Sequence, residues 1–256
     1  MKRLVIVGGA GRMGQALALG LGAMADFKIA LLIDVREPAS LYGATYAKSL
    51  SDNDGLGVDV VVDFSAPESV VASAHWCAQH QVGLVVGTTG LSAEQRSAVD
   101  EASTKTGVVM ASNFALGAVL SERFAAMAAP YFERVEIIEL HHDKKVDAPS
   151  GTSLAAARAI SDARKKVGMA ALVDPTIRTS VAGSRGADVG AGIKVHSVRL
   201  PGLVAHQEIL FGGPGEGLTI RHDSFDRTSF VQGVALAVRA VNSKPKLTIG
   251  LDSLIP

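Results

Sequence analysis

The sequence predicts an α/β protein in which a doubly wound parallel sheet is followed by a second, α+β domain built on a mostly antiparallel sheet. In the first half, short runs of β-branched residues alternate with helical patterns. A glycine-rich segment directly follows the first of these runs. After about Phe114 the pattern changes to apolar runs separated by turns that contain Gly and Pro. We therefore expect residues 1–113 and 222–256 to form one domain and residues 114–221 another.

Alternating strands and helices are predicted for the first domain. The apolar runs that predict strands are Leu4–Val7, Lys28–Ile33, Asp59–Phe64, Gly83–Gly87 and Gly107–Ala111. The helical patterns between them are Arg12–Ala23, Pro67–Gln79 and Ser92–Lys105, and residues 37–57 carry no clear pattern. Right-handed crossovers would bring the carboxyl ends of all these strands to one edge of the sheet, where open α/β sheets bind ligands.

The second domain is predicted from less regular patterns. A helix over Leu116–Ala129 precedes a strand over Val135–Leu140, and a second helix has an apolar stripe of Leu154, Ala157, Ile160 and Val167. Three further runs are expected to be antiparallel strands joined by tight turns, and these are Ile193–Leu200, Leu203–Phe211 and Glu216–Arg221. A last helix is expected to begin at an Asp226 N-cap and to run towards Val241.

The composition argues against several classes of function. Among 256 residues, 25 Lys and Arg balance 25 Asp and Glu, and no long basic run is present. This balance argues against a nucleic-acid or membrane-surface partner, since either favours a positive field. Cys77 is the single cysteine, so an intrachain disulfide and a cysteine-based zinc site are excluded. With no long apolar span and a first strand that begins at once, we expect a cytoplasmic protein without a membrane partner.

Residues 8–14 have the glycine spacing of a dinucleotide-binding loop. Gly8, Gly11 and Gly14 are three residues apart, between a predicted strand and a predicted helix. Such a loop needs a tight turn, close approach of backbone to a pyrophosphate, and close packing of helix on strand. Asp34 lies 20 residues after Gly14 at the end of the second predicted strand, where a carboxylate binds adenosine ribose hydroxyls. We therefore predict a Rossmann-like NAD(P)H site, with a purely structural turn as the alternative.

Two neighbouring residues favour different forms of this cofactor. Asp34 favours NADH because a carboxylate repels a ribose phosphate, whereas Arg36 could pair with that phosphate. We expect NADH to be used at least as well as NADPH. Arg12 and Met13, at the exit of the loop, could flank the cofactor, although Met13 could equally pack inward.

Residues 141–152 place two imidazoles and two ammonium groups just before a predicted helix. His141 and Lys145 are four positions apart, a separation that puts two side chains on the same side of a strand or a helix. An imidazole titrates near working pH and can supply a proton, while a lysine can orient an anion or act as an acid. Ser150 could cap the helix and leave the amides near Gly151 and Thr152 for a carboxylate.

Three alternatives remain for this segment. A solvated charged loop before an ordinary capped helix fits its composition equally well. A metal site would need further ligands, since adjacent histidines diverge and no second ligand set is obvious, so we expect no metal. Ser150 as a nucleophile lacks the strand–turn–helix elbow that such a serine needs.

Five motifs together resemble the 4-hydroxy-tetrahydrodipicolinate reductases, also called dihydrodipicolinate reductases, of the bacterial diaminopimelate route to lysine. The motifs are Gly8–Gly14, Val62–Pro67, Gly87–Gly90, Ser112–Phe114 and Glu139–Thr152. The last is highly specific, because its His-His and Lys-Val-Asp-Ala-Pro-Ser-Gly-Thr elements occur together and in order. The resemblance extends over nearly the whole chain, and Arg185-Gly186 is similar to the actinobacterial branch.

The resemblance implies NAD(P)H-dependent reduction of 4-hydroxy-tetrahydrodipicolinate, a dicarboxylate, to tetrahydrodipicolinate, usually by a homotetramer. It implies His141 as acid/base and Lys145 as proton donor, with the substrate bound by His142, Ser150, Gly151 and Thr152. The residues expected to contact the cofactor are Gly8, Gly9, Ala10, Gly11, Arg12, Met13, Asp34, Arg36, Gly87, Thr88, Thr89, Ala111, Ser112, Asn113 and Phe114. Ala115 and Val119 depart from the family, whose members often carry Ser and Asn there, so the family's polar contacts at these positions are not expected.

Two other classes of function compete with this one. A different nicotinamide-dependent reductase would share the glycine loop but has no reason to carry the His/Lys segment. A nucleotide-sensing module would bind NADH without consuming it. Consumption of NADH across a panel of substrates would separate the three.

Overall fold

The chain divides into two compact units in a computed structural model that describes residues 1–53, 57–242 and 244–256. Unit 1 comprises residues 1–116 and 227–256, and unit 2 comprises residues 117–226. Within the described ranges, no helix has both the length and the apolar character that a bilayer span requires.

Helices and strands alternate along the first part of the chain, and strands dominate the later part. In chain order the elements are β1 (Lys2–Val7), α1 (Arg12–Gly22), β2 (Phe27–Ile33), β3 (Thr45–Ala47), β4 (Val60–Asp63), α2 (Pro67–His80), β5 (Gly83–Val86), α3 (Ala93–Ala102), β6 (Gly107–Met110), α4 (Leu116–Ala128), β7 (Arg134–His141), α5 (Gly151–Lys166), β8 (Ala187–Asp188), β9 (Lys194–Arg199), β10 (Ala205–Gly213), β11 (Glu216–Ser224), α6 (Val231–Ala240) and β12 (Lys246–Ile249). Short 3₁₀ turns cover Ser51–Asn53, Ala129–Tyr131, Arg227–Phe230 and Asp252–Leu254.

Unit 1 contains a parallel sheet with the strand order β3-β2-β1-β4-β5-β6-β12. The strands β4, β5 and β6 are buried along their whole length, which explains their continuous Val and Leu runs. The strand order reverses direction between β1 and β4, and ligands bind at the carboxyl edge beside such a reversal. The edge strands β3 and β12 were not predicted, because each is short and partly exposed.

Unit 2 contains a mixed sheet with the order β11-β10-β7-β9-β8. β7 pairs antiparallel with β10 and parallel with β9, and the β10–β11 and β8–β9 pairs are antiparallel. One face packs on α4 and α5 through a buried core that includes Ile137, Ile160, Ile193, Ile209 and Phe211. A parallel sheet followed by a mostly antiparallel one confirms the predicted fold class.

The runs Ile193–Leu200 and Leu203–Phe211 form strands of opposite direction, as predicted, but the two strands do not pair with each other as a hairpin would. β7 lies between β9 and β10. The chain reaches β9 from β7 through α5, so these two strands run parallel, while β10 pairs with the other side of β7. The turn signal at Pro201-Gly202 marks a change of direction, but it does not indicate which strand becomes the neighbour.

The buried face of α5 also differs from the predicted stripe. Val167 follows the helix and is 58% exposed. The helix buries Arg164 instead, and this guanidinium donates to the carbonyls of Ala129 (3.1 Å) and Phe132 (2.7 Å). The buried face of the helix therefore includes a long polar side chain, Arg164, and does not extend to the apolar Val167.

The last helix begins later than predicted. α6 starts at Val231, because the 3₁₀ turn Arg227–Phe230 precedes it, and Asp226 is therefore not its N-cap. Val231 packs against α1 at Gly20, where a Cβ would lie 2.6 Å from a Val231 methyl.

Candidate active site

The glycine loop of unit 1 is a tight turn between β1 and α1. The amides of Gly8 and Gly9 donate to the Ile33 carbonyl at 2.8 and 2.9 Å, which joins the loop to the end of β2. Gly8 has a φ of +85°, in the left-handed region that favours glycine. A Cβ on Gly14 would lie 2.1 Å from the Gly8 oxygen, so only glycine allows the helix to approach the strand this closely.

The amino end of α1 has no side-chain cap. Its N-cap residue is Gly11, and a Cβ there would meet only the Gly8 oxygen within 4 Å, at 3.1 Å. In α3, by contrast, Ser92 and Gln95 form a capping box. An uncapped helix start presents backbone amides and the positive end of the helix dipole, which suits a pyrophosphate.

Asp34 stabilises the same loop through hydrogen bonds. Its Oδ2 accepts from the Ala10 amide at 3.0 Å, and its Oδ1 accepts from the Arg36 amide at 3.2 Å. A carboxylate has about four lone-pair sites, so Asp34 keeps capacity for ribose hydroxyls. The side chains of Arg12 and Arg36 are exposed, and Met13 is half-buried.

A buried carboxylate, Asp63, connects the loops that follow β4 and β5. Its Oδ1 accepts from Ser65 Oγ (2.6 Å) and Thr88 Oγ1 (2.9 Å), and its Oδ2 accepts from Ser73 Oγ (2.6 Å). These bonds fix Thr88 at the carboxyl edge of the sheet. Asp63 has no separate role among the sequence-based predictions, although an acid that ends an apolar run two residues before Ser65 is a usable signal.

A cavity of about 380 Å³ lies at the carboxyl ends of β5, β6 and β12. Its lining residues are Thr88, Thr89, Gly90, Leu91, Arg96, Met110, Ala111, Ser112, Ile249 and Gly250. The structure thus brings together four residues predicted to contact the cofactor, and adds Arg96 and the end of β12. The uncapped helix, the close glycine packing, the Asp34 carboxylate and this cavity fit a dinucleotide.

Three other predicted cofactor residues have structural contacts. Phe114 is completely buried, and its ring packs on Phe64 with centroids 5.3 Å apart. A Cβ on Gly87 would lie 2.2 Å from the Phe64 ring. Asn113 Oδ1 accepts from the Ala115 amide at 2.9 Å. The side chain of Phe114 is therefore a core element, and its backbone is the part that could contact a cofactor.

In unit 2, β7 ends at His141 beside a buried carboxylate. The side chain of Glu139 is fully buried, and its Oε2 is hydrogen-bonded to His141 Nδ1. Arg199 on β9 binds the same carboxylate in two places, Nη1 to Oε2 at 2.9 Å and Nη2 to Oε1 at 2.8 Å. The parallel register places Arg199 opposite His141.

Burial and charge shift the titration of both groups. Burial lowers the pKa of His141, and the hydrogen bond and charge of Glu139 only partly offset this; the charges of Lys145 and Arg199 lower it further. Burial raises the pKa of Glu139, but hydrogen bonds from Arg199, Ser197 and His141 outweigh it, so this pKa lies below its usual value. Glu139 is therefore an ionised acceptor at neutral pH, while His141 favours its neutral form.

The chain after His141 forms a turn, in which the Lys145 amide donates to the His142 carbonyl at 3.2 Å. The four-residue spacing therefore does not align His141 and Lys145 as it would in a strand or a helix. Lys145 Nζ donates to both oxygens of Asp147 at 2.7 Å, yet its charge is near enough to lower the pKa of His141. The His142 side chain is exposed, and the Ala148–Pro149 peptide bond is cis.

Ser150 is the N-cap of α5. Its Oγ accepts from the Ser153 amide at 3.2 Å and lies 2.8 Å from Ser153 Oγ, which donates to Gln207 Oε1 at 2.7 Å. The Ser150 side chain is buried, and its hydroxyl belongs to the cap. A Cβ at Gly151 would meet no atom within 4 Å, and Thr152 lies on the same first turn.

No group of three or more His, Cys, Asp or Glu side chains is arranged to hold a metal in the part of the chain that the structure describes.

Comparisons with known proteins give one family for both units. A family model described as "Dihydrodipicolinate reductase, N-terminus" matches residues 2–114, and "Dihydrodipicolinate reductase, C-terminus" matches residues 117–255. The 4-hydroxy-tetrahydrodipicolinate reductase of Nocardia farcinica (strain IFM 10152) is 46% identical over 256 residues, with 99% of this chain and 98% of that protein covered. The enzyme of the same name from Mycolicibacterium gilvum (strain PYR-GCK) is 47% identical over 256 residues, with the same coverage of 99% and 98%.

Two solved structures resemble this chain to different degrees. A dipicolinate-bound dihydrodipicolinate reductase from Paenisporosarcina sp. TG-14 matches with a TM-score of 0.87 and 38% identity, covering 100% of both chains. A myo-inositol dehydrogenase from Corynebacterium glutamicum ATCC 13032 matches with a TM-score of 0.62 but 14% identity, covering 94% of this chain and 89% of that one. The second likeness shows the fold alone.

Proposed function

The chain belongs to the dihydrodipicolinate reductase family, and we propose that it reduces 4-hydroxy-tetrahydrodipicolinate to tetrahydrodipicolinate with NAD(P)H, in lysine and diaminopimelate biosynthesis. The observation that carries the proposal is His141, held by the buried Glu139 carboxylate beside Lys145, in a chain that also has a dinucleotide loop. A nucleotide sensor or another dehydrogenase has no need of this cluster. The dipicolinate bound to the relative from Paenisporosarcina supports a small dicarboxylate as substrate.

The residues of unit 1 would hold the cofactor. The amides at the start of α1 would bind the pyrophosphate, Asp34 the adenosine ribose, and Thr88, Thr89 and Ser112 the nicotinamide end. When bound, NAD(P)H supplies the hydride. We expect NADH to serve at least as well as NADPH, since the Asp34 carboxylate repels a ribose phosphate and the exposed Arg36 attracts one.

The residues of unit 2 would hold the substrate and supply the proton. Lys145, His142 and the start of α5 at Gly151 and Thr152 offer positive charge and amides to two carboxylates. Loss of the 4-hydroxyl as water leaves a conjugated imine, and addition of hydride then requires one proton, from His141 or Lys145. The two negative charges of the substrate would raise the pKa of His141 and favour its acidic form. Ser150 contributes through the cap.

Turnover tests the proposal directly. Purified protein is mixed with NADH and enzymatically prepared 4-hydroxy-tetrahydrodipicolinate, and the absorbance of reduced nicotinamide is followed. We expect consumption of NADH that depends on this substrate, together with formation of tetrahydrodipicolinate. Consumption with 2-hydroxy acids, 2-oxo acids or polyols instead would favour another dehydrogenase, and binding of NADH without consumption would favour a sensor.

We also propose that the chain works as a homotetramer in the cytoplasm. Ile138, Leu140 and Leu210 lie half-buried on the face of the second sheet opposite α5, on adjacent strands. A second copy that pairs through this face would cover them. Light scattering should give about four times the 26.5 kDa chain mass, and Leu210→Glu should lower it. A monomer mass for the unchanged chain would contradict the tetramer. Cys77, a buried free thiol, is compatible with a reducing compartment.

A further inference from the structure

Arg199 binds both of the segments that carry the proposed proton donors. Its Nη1 donates to Glu139 Oε2 (2.9 Å) and to the carbonyl of the preceding residue (2.8 Å). Its Nη2 donates to Glu139 Oε1 (2.8 Å) and to the Asp147 carbonyl (2.7 Å). Glu139 in turn bonds His141 Nδ1, and the Asp147 carboxylate bonds Lys145 Nζ. The Arg199 guanidinium therefore links two segments. One carries the Glu139 carboxylate that bonds His141, and the other carries the Asp147 carboxylate that bonds Lys145.

We propose that Glu139 and Arg199 are positioning residues for His141 and Lys145, an inference that rests on the proposed function. An ionised carboxylate only accepts hydrogen bonds, so Nδ1 of His141 must be the donor in this contact. Nε2 is then the ring nitrogen that exchanges a proton with a ligand. Arg199 holds Glu139 in two places and so fixes the plane of the carboxylate and, through it, the imidazole ring.

The charges around His141 oppose one another. Glu139 on its own strand supports the imidazolium, while Arg199 on β9 and Lys145 on the following turn oppose it. On the other side, β10 places the uncharged Ala205 opposite His141. Removing the Glu139 charge leaves burial and the two cations unopposed, so the pKa of His141 must fall further.

A second cluster on β7 provides a matched control. Glu136 bonds His196 Nε2 at 2.7 Å and is paired with Arg185, so it repeats the same three residue types. Three positions separate Glu136 from Glu139, which places them on opposite faces of the sheet. The Glu136 side chain is 32% exposed, whereas Glu139 is fully buried.

The test compares Glu139→Gln with Glu136→Gln in the full chain. The amide keeps the shape and the acceptor oxygen but removes the charge. In NMR titrations, the C2 proton of His141, identified by its loss in His141→Gln, should report a pKa lowered by about one unit in Glu139→Gln. His141 must carry a proton to donate it. The pKa that defines the basic limb of the kcat/KM–pH profile should therefore fall by the same amount. Glu136→Gln should leave both midpoints unchanged.

Folding is checked by thermal denaturation and NADH binding, because Glu139→Gln leaves the half-buried Arg199 without its counter-charge. Should it unfold, Glu139→Asp keeps that charge and withdraws the carboxylate from Nδ1 by one methylene. It should lower the His141 pKa in the same direction by a smaller amount.

An unchanged His141 titration in the folded Glu139 variants overturns the proposal, and so does an equal shift in Glu136→Gln. A lowered His141 pKa in a protein that does not reduce the substrate supports the pairing and overturns the proposed reaction instead.

Discussion

The candidate sites of units 1 and 2 are built from different chemical groups. In unit 1 the loop at Gly8–Gly14 acts through backbone amides, and its geometry depends on the absence of a Cβ at Gly14. In unit 2 the contacts around His141 are charged side chains on paired strands and a turn. The first site should therefore be disrupted by added atoms, and the second by changes of charge.

The largest effect is expected from the charged site. His141→Ala and Lys145→Ala should each lower turnover by roughly 10²–10⁴-fold if both take part in proton transfer. NADH affinity should stay unchanged, since neither residue belongs to unit 1. Lys144→Ala, an exposed neighbour, is the control and should retain turnover. Near-normal turnover in both variants would leave residues 141–152 as an ordinary charged loop.

The next effect tests the backbone site. Gly14→Ala should weaken NADH binding by roughly 10–100-fold, because relief of a 2.1 Å contact with the Gly8 oxygen must move the loop, at a cost of about 1–3 kcal/mol. Gly22→Ala on the same helix is the control, since a Cβ there meets its nearest atom at 3.5 Å. Calorimetric titration with NADH measures both. Equal affinities would mean that the loop does not depend on this close approach.

A smaller effect is expected at Asp34, a charged side chain that accepts a hydrogen bond from a backbone amide of the glycine loop. Asp34→Ala should weaken NADH by about tenfold, from loss of a charged hydrogen bond to ribose. NADPH should lose less, because the repulsion of its phosphate disappears as well. Arg36→Ala should do the reverse and weaken NADPH more. Equal losses of the two cofactors in Asp34→Ala would show that Asp34 only braces the Ala10 amide.

The smallest effect concerns the helix cap in unit 2. Ser150→Ala should lower the free energy of unfolding by about 1–2 kcal/mol, since it removes an N-cap and leaves Ser153 Oγ with one partner fewer. Turnover should fall only a few-fold. Thermal and urea denaturation measure the free energy of unfolding. Ser92→Ala, which removes the N-cap of α3, is the matched control. A collapse of turnover without loss of stability would instead make Ser150 a reacting group.

The same contrast governs what the sequence could predict. β1, β4, β5 and β6 are continuous apolar runs, and the glycine spacing fixes the loop beside them, so local patterns were sufficient there. β12 was missed because four residues become a strand only by pairing with β6. Arg96 and Gly250, which line the cavity, were missed with it.

Unit 2 was harder to predict, because its contacts depend on strand register. His141 and Lys145 stood out as titratable groups, but Glu139 resembled one more strand residue. Its partner Arg199 is 60 positions away and comes opposite His141 only because β9 pairs with β7 in parallel. The tight turn after the strand that contains Arg199 suggests a hairpin with the next strand and gives no sign of its pairing with β7.

Hydrogen–deuterium exchange of the full chain tests the division between the two sites most directly. With NADH alone, protection should rise at residues 8–14 and at Thr88–Gly90, while with dipicolinate alone it should rise at residues 141–152. Protection of the second segment by NADH alone, or of the glycine loop by dipicolinate alone, would contradict the assignment of cofactor to unit 1 and substrate to unit 2.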